Sequence, residues 1–144
     1  MIRRISAMLL AAASLFGASV AMAAPAQACT PDNACLYSDS DFWGMMRDDF
    51  SSRPNWSQIY YIGGPALYQG DYHLDNVSSI SNWDYDTKIS VFYNSGYAGP
   101  CFKIAAYGNV SNMANIWLGV GVEANDKMNS HRFGESCSGS VYSF

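Results

Sequence analysis

Apolar and polar residues alternate along most of the chain in short runs that are typical of β-strands. The runs are five to nine residues long, are rich in aromatic and β-branched residues, and are separated by Gly, Pro, Asn, Asp and Ser. After the N-terminal apolar segment, no stretch has the periodicity of an amphipathic helix. The pattern therefore predicts an all-β fold. The predicted strands cover residues 34–38, 44–50, 58–62, 67–74, 79–83, 89–93, 99–107, 116–122 and 127–133.

One motif occurs twice, 55 positions apart, and reads aromatic, four residues, aromatic, one residue, glycine. Each copy follows a short apolar run, and its polar middle suits the turn of a hairpin. The glycine is expected at a position that needs a positive φ or a close approach to an aromatic ring. The motif residues are Tyr37, Phe42 and Gly44 in the first copy and Phe92, Tyr97 and Gly99 in the second.

Each copy is followed by an Asp-x-x-x-Ser spacing, at Asp86–Ser90 and at Asp126–Ser130. Two hairpins, each followed by a returning strand, predict a sandwich of two Greek keys, covering about residues 29–90 and 89–137. Gly44 and Asp86 are 42 positions apart, whereas Gly99 and Asp126 are 27 apart. The first key is therefore expected to carry about fifteen extra residues, which we place within residues 51–74.

The segment 51–74 is rich in aromatic residues, and three of them are candidates for contact with a partner: Trp56, Tyr60 and Tyr61. Tyr and Trp are frequent anchors in protein interfaces, and long loops on a β scaffold often carry function. The alternative is that these side chains only cover an edge of the sandwich.

The N-terminus has the pattern of a signal peptide. Arg3 and Arg4 precede a short Ala/Leu-rich run, and Ala21-Met-Ala23 offers a cleavage site, with cleavage after Ala28 as a second choice. We therefore expect residues 1–23 to be removed, residues 24–28 to form a short lead, and residues 29–144 to form one secreted, extracellular domain. No second apolar stretch follows that could hold the chain in a membrane.

The chain is acidic, which narrows its partners. Its formal charge of −4 becomes −6 once Arg3 and Arg4 are removed. Such a chain lacks the cations that bind nucleic acid or an anionic membrane surface, so we expect neither as a partner. We expect a monomer.

All four cysteines lie beyond the signal peptide, and an even number in an exported chain predicts two disulfides. We favour Cys29–Cys35 and Cys101–Cys137 over the two other connectivities, because each bridge then joins residues of one key. The spacings match no common zinc site.

These features resemble the βγ-crystallin Greek-key motif and, more closely, the bacterial secreted peptidase inhibitors of family 36, which share that fold. The segment from Cys29 to Tyr37, the segment from Tyr93 to Gly99 and the closing segment from Asn125 to Phe133 are typical of that family. The resemblance covers nearly the whole chain after the signal peptide. It implies a secreted inhibitor of extracellular metalloproteinases, whose partner is a protease and whose presenting element is the Cys29–Cys35 loop or the 51–74 segment. The alternative function is a non-inhibitory binding module for calcium or glycans, or an antimicrobial toxin-like protein.

Calcium is the one ligand ion that the resemblance implies, through an Asn/Asp-Asn/Asp-x-x-Ser/Thr-Ser signature. The segment 125–130 matches it except at Asn129, whereas the segment 85–90 fails at two positions. The candidate ligands are Asp126, Ser130, Asp86 and Ser90, and the alternative is that they only fix the returning strands. We expect no other cofactor.

The sequence predicts no enzyme. His73 and His131 are isolated and belong to no catalytic or metal-binding motif, and we expect His131 at the surface beside Arg132. Asp48 and Asp49 are adjacent in a predicted strand, so their side chains should point to opposite faces and cannot share one site.

Overall fold

The computed structural model describes residues 28–119 and 121–143, so the predicted signal peptide and most of the lead that follows it lie outside the described residues. The described part is all-β, as predicted, with single-turn 3-10 helices at Ser40–Phe42, Trp56–Gln58 and Met113–Asn115. None of its helices is long or apolar enough to cross a membrane. The strands are β1 (Ala34–Tyr37), β2 (Met46–Asp49), β3 (Ser79–Asn82), β4 (Ile89–Asn94), β5 (Ala98–Ile104), β6 (Asn109–Val110), β7 (Ser130–Phe133) and β8 (Val141–Tyr142).

The strands form two four-stranded sheets, in the orders β2-β1-β3-β6 and β7-β4-β5-β8. In each key the last strand returns beside the first, β3 beside β1 and β7 beside β4, which is the predicted Greek-key arrangement. The third segment of each key crosses to the other sheet: β6 pairs with β3, and Arg53 bridges His131 in β7. This exchange holds the two keys together as one sandwich.

Both sheets contribute to one hydrophobic core. Residues of one hydrophobic cluster alternate along β4 and β5, where Ile89, Val91, Phe102 and Ile104 face inward and are at most 1% exposed. Leu36 in β1 lies in the same cluster from the other sheet. The two keys therefore share one interior.

The duplicated hairpins have the same local geometry. The two aromatic rings of each copy make an edge-to-face contact, with centroids 5.7 Å apart in the first and 6.0 Å apart in the second. Gly44 and Gly99 have φ values of 80° and 81°, as expected. A Cβ at Gly99 would lie 2.7 Å from Nδ2 of Asn94, and one at Gly44 would overlap the Ser38 side chain, so the close approach is to a polar side chain and not to a ring.

A buried serine fixes each hairpin from the returning strand. In both keys its hydroxyl accepts a hydrogen bond from the amide of the second aromatic residue and donates one to a carbonyl of the turn. These bonds join Ser79 to Phe42 (3.1 Å) and Asp39 (2.6 Å), and Ser130 to Tyr97 (3.2 Å) and Asn94 (2.7 Å).

The prediction that Asp86–Ser90 closes the first key is therefore wrong. Ser90 lies in β4, inside the second key, and its hydroxyl donates to the carbonyl of Gly134 at 2.7 Å. The segment Asp75–Ser79 has the same Asp-x-x-x-Ser spacing and holds the serine that closes the first key.

The predicted fifteen-residue insertion is also wrong. Residues 53–67 and 110–124 have matching structures, 57 positions apart in the sequence: Asn55 and Asn112 each cap a 3-10 turn with a side-chain oxygen. From glycine to closing serine, the first key spans 35 positions (Gly44 to Ser79) and the second 31 (Gly99 to Ser130). The first key therefore has four extra residues, six more between residues 67 and 79 and two fewer before residue 53.

Three predicted strands do not form. Among the described residues, 58–62 and 116–122 each make one isolated bridge, Tyr60 to Ala66 and Trp117 to Glu123, and residues 67–74 form turns. Glycines with positive φ, at Gly63, Gly119 and Gly121, reverse the chain before a ladder can extend. The short strand β8 was not predicted, and it pairs in parallel with β5.

The structure contains both favoured disulfides. Cys29 and Cys35 have Cα atoms 5.8 Å apart, and Cys101 and Cys137 have Cα atoms 6.0 Å apart. The first bridge closes a small loop before β1, and the second joins β5 to the segment before β8.

Candidate functional site

Of the three aromatic residues predicted to contact a partner, two are buried and one is exposed. Trp56 is 0% exposed and Tyr61 is 2% exposed, so both belong to the core, and the contact prediction is wrong for them. They are buried because their segment is the third part of the Greek key and not an inserted loop. Only Tyr60, at 57%, presents its ring to solvent.

His131, expected at the surface, is buried at 1% exposure. Its Nδ1 accepts a hydrogen bond from the indole N–H of Trp56 at 2.9 Å, and its Nε2 lies 3.1 Å from the carbonyl of Ser51, to which it donates. Burial lowers the pKa of His131 to about 4, which keeps the imidazole neutral near pH 7. A neutral, enclosed and fully bonded imidazole positions backbone and is not available as a catalytic base.

The calcium candidates were predicted as two pairs, Asp86 with Ser90 and Asp126 with Ser130, and in both pairs the serine hydroxyl is already used by the fold. Ser90 and Ser130 are 0% exposed, and each donates its hydroxyl to a backbone carbonyl. Asp86 lies on the turn before β4, where it accepts from the Thr87 hydroxyl at 3.0 Å.

Asp126 instead meets Ser78, whose hydroxyl donates to Oδ1 of the carboxylate at 2.9 Å, while Asn125 donates to Oδ2 at 2.7 Å. Burial raises the pKa of Asp126, against the opposing effect of the Ser78 hydrogen bond. Asp126 and Ser78 supply three oxygens, against the six to eight ligands that calcium takes. Calcium binding at Asp126 stays a prediction, and the function proposed below does not depend on it.

The disulfide loop, residues 29–35, is an exposed segment held at both ends. Its two ends are buried, at Cys29 and at Cys35 in the central strand β1. Thr30, Pro31 and Asp32 between them are exposed. Asp32 has a φ of 66°, in the left-handed region, so the loop turns sharply at this residue.

Asp48 in β2 holds the loop from one side. It pairs with Cys35 across the sheet, and its carboxylate accepts one hydrogen bond from the Thr30 hydroxyl and another from the Asn33 amide, the latter at 2.7 Å. Asp49 points the opposite way, as predicted, and is buried in an ion pair with Arg53 whose closest N–O distance is 2.6 Å. The two neighbouring carboxylates therefore have different tasks: one braces the exposed loop and the other braces the interior.

Trp83 holds the loop from the other side through its backbone. The Asp32 amide donates to the Trp83 carbonyl at 3.1 Å, and the Trp83 amide donates to the Asn33 carbonyl at 2.9 Å. The Trp83 side chain packs against the Cys29–Cys35 disulfide. Between the bridge, the Asp48 carboxylate and the Trp83 backbone, the loop is fixed on three sides.

Asp48 is the site residue that sequence reasoning missed. Its position could have been inferred from the hairpin: if Tyr37 pairs with Met46 around the turn, Cys35 must pair with Asp48. Although Cys29, Cys35 and Asp48 lie within metal-binding distance of one another, both sulfurs are used by the disulfide, so they offer a single carboxylate and no metal site.

Comparisons with known proteins give both a family and a fold. The model of peptidase inhibitor family I36 matches residues 22–104. A comparison with curated proteins finds no significant match.

Solved structures similar to the chain are βγ-crystallin domains. One, from a study of the evolution of the eye-lens βγ-crystallin domain fold, has a TM-score of 0.56 and 16% identity over 75% of this chain and 91% of that chain. A βγ-crystallin from Ciona intestinalis has a TM-score of 0.46 and 20% identity, covering 70% of this chain and 98% of that chain. A βγ-crystallin from an archaeon has a TM-score of 0.47 and 18% identity, covering 72% of this chain and 99% of that chain. The first of these likenesses establishes a βγ-crystallin-like fold and, at this identity, concerns the fold alone.

Proposed function

Because the chain belongs to peptidase inhibitor family I36, we propose that it inhibits extracellular metalloproteinases by presenting the disulfide loop 29–35 to the protease. The family implies a protease as partner in general. The family does not specify the class of protease or the surface that contacts it. We propose both from the structure of the loop 29–35.

The observation that carries the proposal is the exposure of three consecutive residues on a loop whose backbone is already fixed. Thr30, Pro31 and Asp32 are exposed, while the disulfide, Asp48 and Trp83 hold the chain on either side of them. A loop ordered before binding loses little conformational entropy in the complex, so more of the interaction energy appears as affinity. Tyr60, the other exposed candidate, lies on a turn that no disulfide closes.

Asp32 favours a metalloproteinase over a serine protease. A catalytic zinc ion keeps one coordination position open for water or substrate, and a carboxylate is one of its ordinary ligands. Asp32 is exposed at the turn of the loop, next to the ring of Pro31, whose φ is fixed. In the proposed complex its carboxylate approaches the zinc ion of the protease.

The proposal includes export. The N-terminal residues have the signal-peptide pattern, and the two disulfides are stable in an oxidising, extracellular compartment. There the inhibitor acts as a monomer.

The proposed inhibitor performs no reaction of its own. His131 is enclosed in the core, and Nδ1 of His73 accepts a hydrogen bond from the amide of Asp75 at 3.3 Å within its own turn. These are the only two histidines in the sequence, and in the described part of the chain their ring nitrogens make hydrogen bonds with Trp56, Ser51 and Asp75.

The test is an inhibition assay with the exported form of the protein against a thermolysin-like metalloproteinase and a subtilisin-like serine protease in parallel. We expect the metalloproteinase to be inhibited and the serine protease to retain its activity. The variant Asp32→Asn removes the charge and tolerates the left-handed backbone. It should raise the inhibition constant roughly tenfold or more, as expected for an interface anchor.

Leu74→Ala is the matched control, because Leu74 is 84% exposed on a different turn. It should inhibit like the wild type. Absence of metalloproteinase inhibition by the wild type, or an unchanged inhibition constant for Asp32→Asn, would contradict the proposal.

A further inference from the structure

A small cleft lies beside the disulfide loop, on the surface that joins the two keys. Its volume is about 110 Å³, and it is lined by Ser81, Asn82, Trp83, Tyr107 and Asn109. The disulfide loop 29–35 borders this region through Trp83 and through the pairing of Ala34 with Asn82 and Cys35 with Ser81, while its exposed residues 30–32 are not part of the cleft lining.

Aromatic rings form the walls of the cleft. The rings of Trp83 and Tyr107 meet edge to face, with centroids 5.7 Å apart and planes at 72°. Tyr85 stacks on Tyr107 at 4.9 Å and 16°. Tyr85 and Tyr107 are 60% and 54% exposed, so most of this aromatic surface is open to solvent.

The walls are held in place by the backbone beneath them. The Tyr107 amide donates to the Asp84 carbonyl at 2.8 Å, and Tyr107 has a φ of 55°. The Asn82 side chain, 1% exposed, donates to the carbonyls of Thr87 and Ala105 at 2.8 and 2.9 Å, which ties together the two turns that carry the rings. A left-handed backbone at a tyrosine is unfavourable, and it is maintained here by these contacts.

The floor of the cleft is polar. Oδ1 of Asn109 accepts from the Ser81 hydroxyl, which orients the Asn109 amide nitrogen away from Ser81. The Asn109 amide nitrogen, the Trp83 indole N–H and the Tyr107 hydroxyl make no hydrogen bond to any residue of the part of the chain that the structure describes. The cleft thus combines apolar faces with unpaired donors.

Two acidic residues, Asp84 and Asp86, lie on the turn that follows Trp83. Burial alone would raise the pKa of Asp84, but hydrogen bonds from the amides of Asp86 and Thr87 lower it, so Asp84 is ionised near pH 7. Neighbouring carboxylates repel an anionic ligand.

We infer that the cleft between Trp83 and Tyr107 binds a neutral saccharide. The C–H face of a pyranose ring is flat and apolar and matches the face of an aromatic ring, while its hydroxyl groups need donors and acceptors of the kind that Asn109 and Tyr107 supply. The small volume accommodates one edge of a sugar ring, and the rest of the oligosaccharide remains in solvent. The acidic rim excludes sulfated or phosphorylated glycans. This inference does not rest on protease inhibition.

The test uses the indole N–H resonances of the ¹⁵N-labelled protein, because each of the four tryptophans gives a separate signal. Hexasaccharides of β-1,3-glucan, β-1,4-glucan and β-1,4-N-acetylglucosamine are titrated to about 10 mM, the range of weak single-site binding, with a sulfated oligosaccharide as comparator. We expect at least one neutral hexasaccharide to shift the Trp83 signal, with saturation, and the sulfated one to leave it in place.

Tyr107→Asn removes the ring and keeps a residue that tolerates positive φ, so the fold should be retained. It should weaken binding roughly tenfold. Trp117→Ala is the matched control: Trp117 is also an exposed aromatic residue, at 62%, but lines a different cleft with Tyr72 and Lys127. It should bind like the wild type.

Three outcomes would overturn the inference: no shift of the Trp83 signal with any neutral hexasaccharide, wild-type binding by Tyr107→Asn, or tighter binding of the sulfated comparator. Protease inhibition by Tyr107→Asn is measured beside the titration. Wild-type protein that inhibits the protease but binds no saccharide would reject the inference alone, whereas wild-type protein that binds a saccharide but does not inhibit would reject only the proposed function.

Discussion

His131 and Trp56 come from different keys and meet in the interior, where their side chains make a 2.9 Å hydrogen bond. Arg53, three residues before Trp56, exchanges two backbone hydrogen bonds with His131, at 2.8 and 3.0 Å. A buried imidazole without partners would cost stability, but here both ring nitrogens are bonded. Residue 131 therefore joins the two halves of the duplication.

This pair predicts a loss of stability in acid. The His131 pKa is about 4 in the folded protein, lowered first by burial and further by Arg53 and Arg47, against an ordinary value of 6.5. The unfolded chain therefore binds a proton at a higher pH than the folded one. The neutral imidazole makes its full contribution to the free energy of unfolding above pH 6.5. This contribution, about 3 kcal/mol in total, is lost as the pH falls from about 6.5 to about 4. Urea unfolding at a series of pH values measures it.

His131→Gln is the matched control for this prediction. An amide can accept from the Trp56 indole and donate to the Ser51 carbonyl, but it does not titrate. Between pH 6.5 and pH 4, the free energy of unfolding of the variant should depend less steeply on pH, by the uptake of about one proton on unfolding. If wild type and variant show the same slope in that range, the neutral buried imidazole is not the cause.

The sequence carried part of this information. In a strand with a period of two, His131 shares a face with Phe133 and lies opposite Arg132, so an inward orientation was readable. The pairing with Trp56 was not, because it depends on the third segment of the first key crossing to the other sheet. No local pattern in residues 51–58 indicates that crossing.

Among the elements, the two hairpins and the closing strand of the second key were predictable, and the closing strand of the first key was not. The aromatic and glycine positions recur at one fixed spacing, and the structure gives both copies the same ring contact and the same positive φ. The first closing serine was misassigned because two segments, 75–79 and 86–90, have the same Asp-x-x-x-Ser spacing. Only the hydrogen bonds of Ser79 to the hairpin distinguish them.

Assigning Ser90 as the closing serine made the first key look too long, which suggested an insertion. Trp56 and Tyr61 were predicted to contact a partner because they lie in that supposed insertion. Once the first key is closed at Ser79, Trp56 and Tyr61 occupy core positions equivalent to Met113 and Leu118, 57 residues later. Short apolar runs such as 58–62 and 116–122 are compatible with either a strand or a buried turn. Glycines within or next to them adopt positive φ values and reverse the chain, so turns form.

The two disulfides are predicted to have different tasks. Removing Cys101 and Cys137, 36 residues apart, should lower the free energy of unfolding by about 4 kcal/mol, and removing Cys29 and Cys35, 6 residues apart, by about 2 kcal/mol, according to the entropy of the closed loop. Inhibition should follow the opposite order, because only the first bridge shapes the presenting loop. Double-alanine variants are compared by urea unfolding and by inhibition constant. Equal effects of both pairs on inhibition would contradict the assignment of the loop.

At the scale of the whole molecule, the sandwich acts as a rigid support. Its shared core fixes β1 between β2 and β3, and the loop 29–35 leaves directly from that central strand. β2 supplies Asp48 and the end of β3 leads into Trp83, so each neighbour of β1 contributes one brace. The sequence pointed to the aromatic segment 51–74 or the loop 29–35 as the presenting element, and that the loop is braced from both neighbouring strands followed only from the strand order.

The most direct test of the account is the inhibition constant of Asp48→Ala against the metalloproteinase, compared with Asp71→Ala. Both substitutions remove a carboxylate that accepts two side-chain hydrogen bonds, Asp71 doing so from Tyr68 and Tyr93 at 2.5 and 2.6 Å on another surface. If the loop 29–35 binds the protease, Asp48→Ala raises the inhibition constant about tenfold or more, while Asp71→Ala leaves it unchanged at a similar loss of stability. An Asp48→Ala variant that inhibits like the wild type would show that the braced disulfide loop is not the surface that binds the protease.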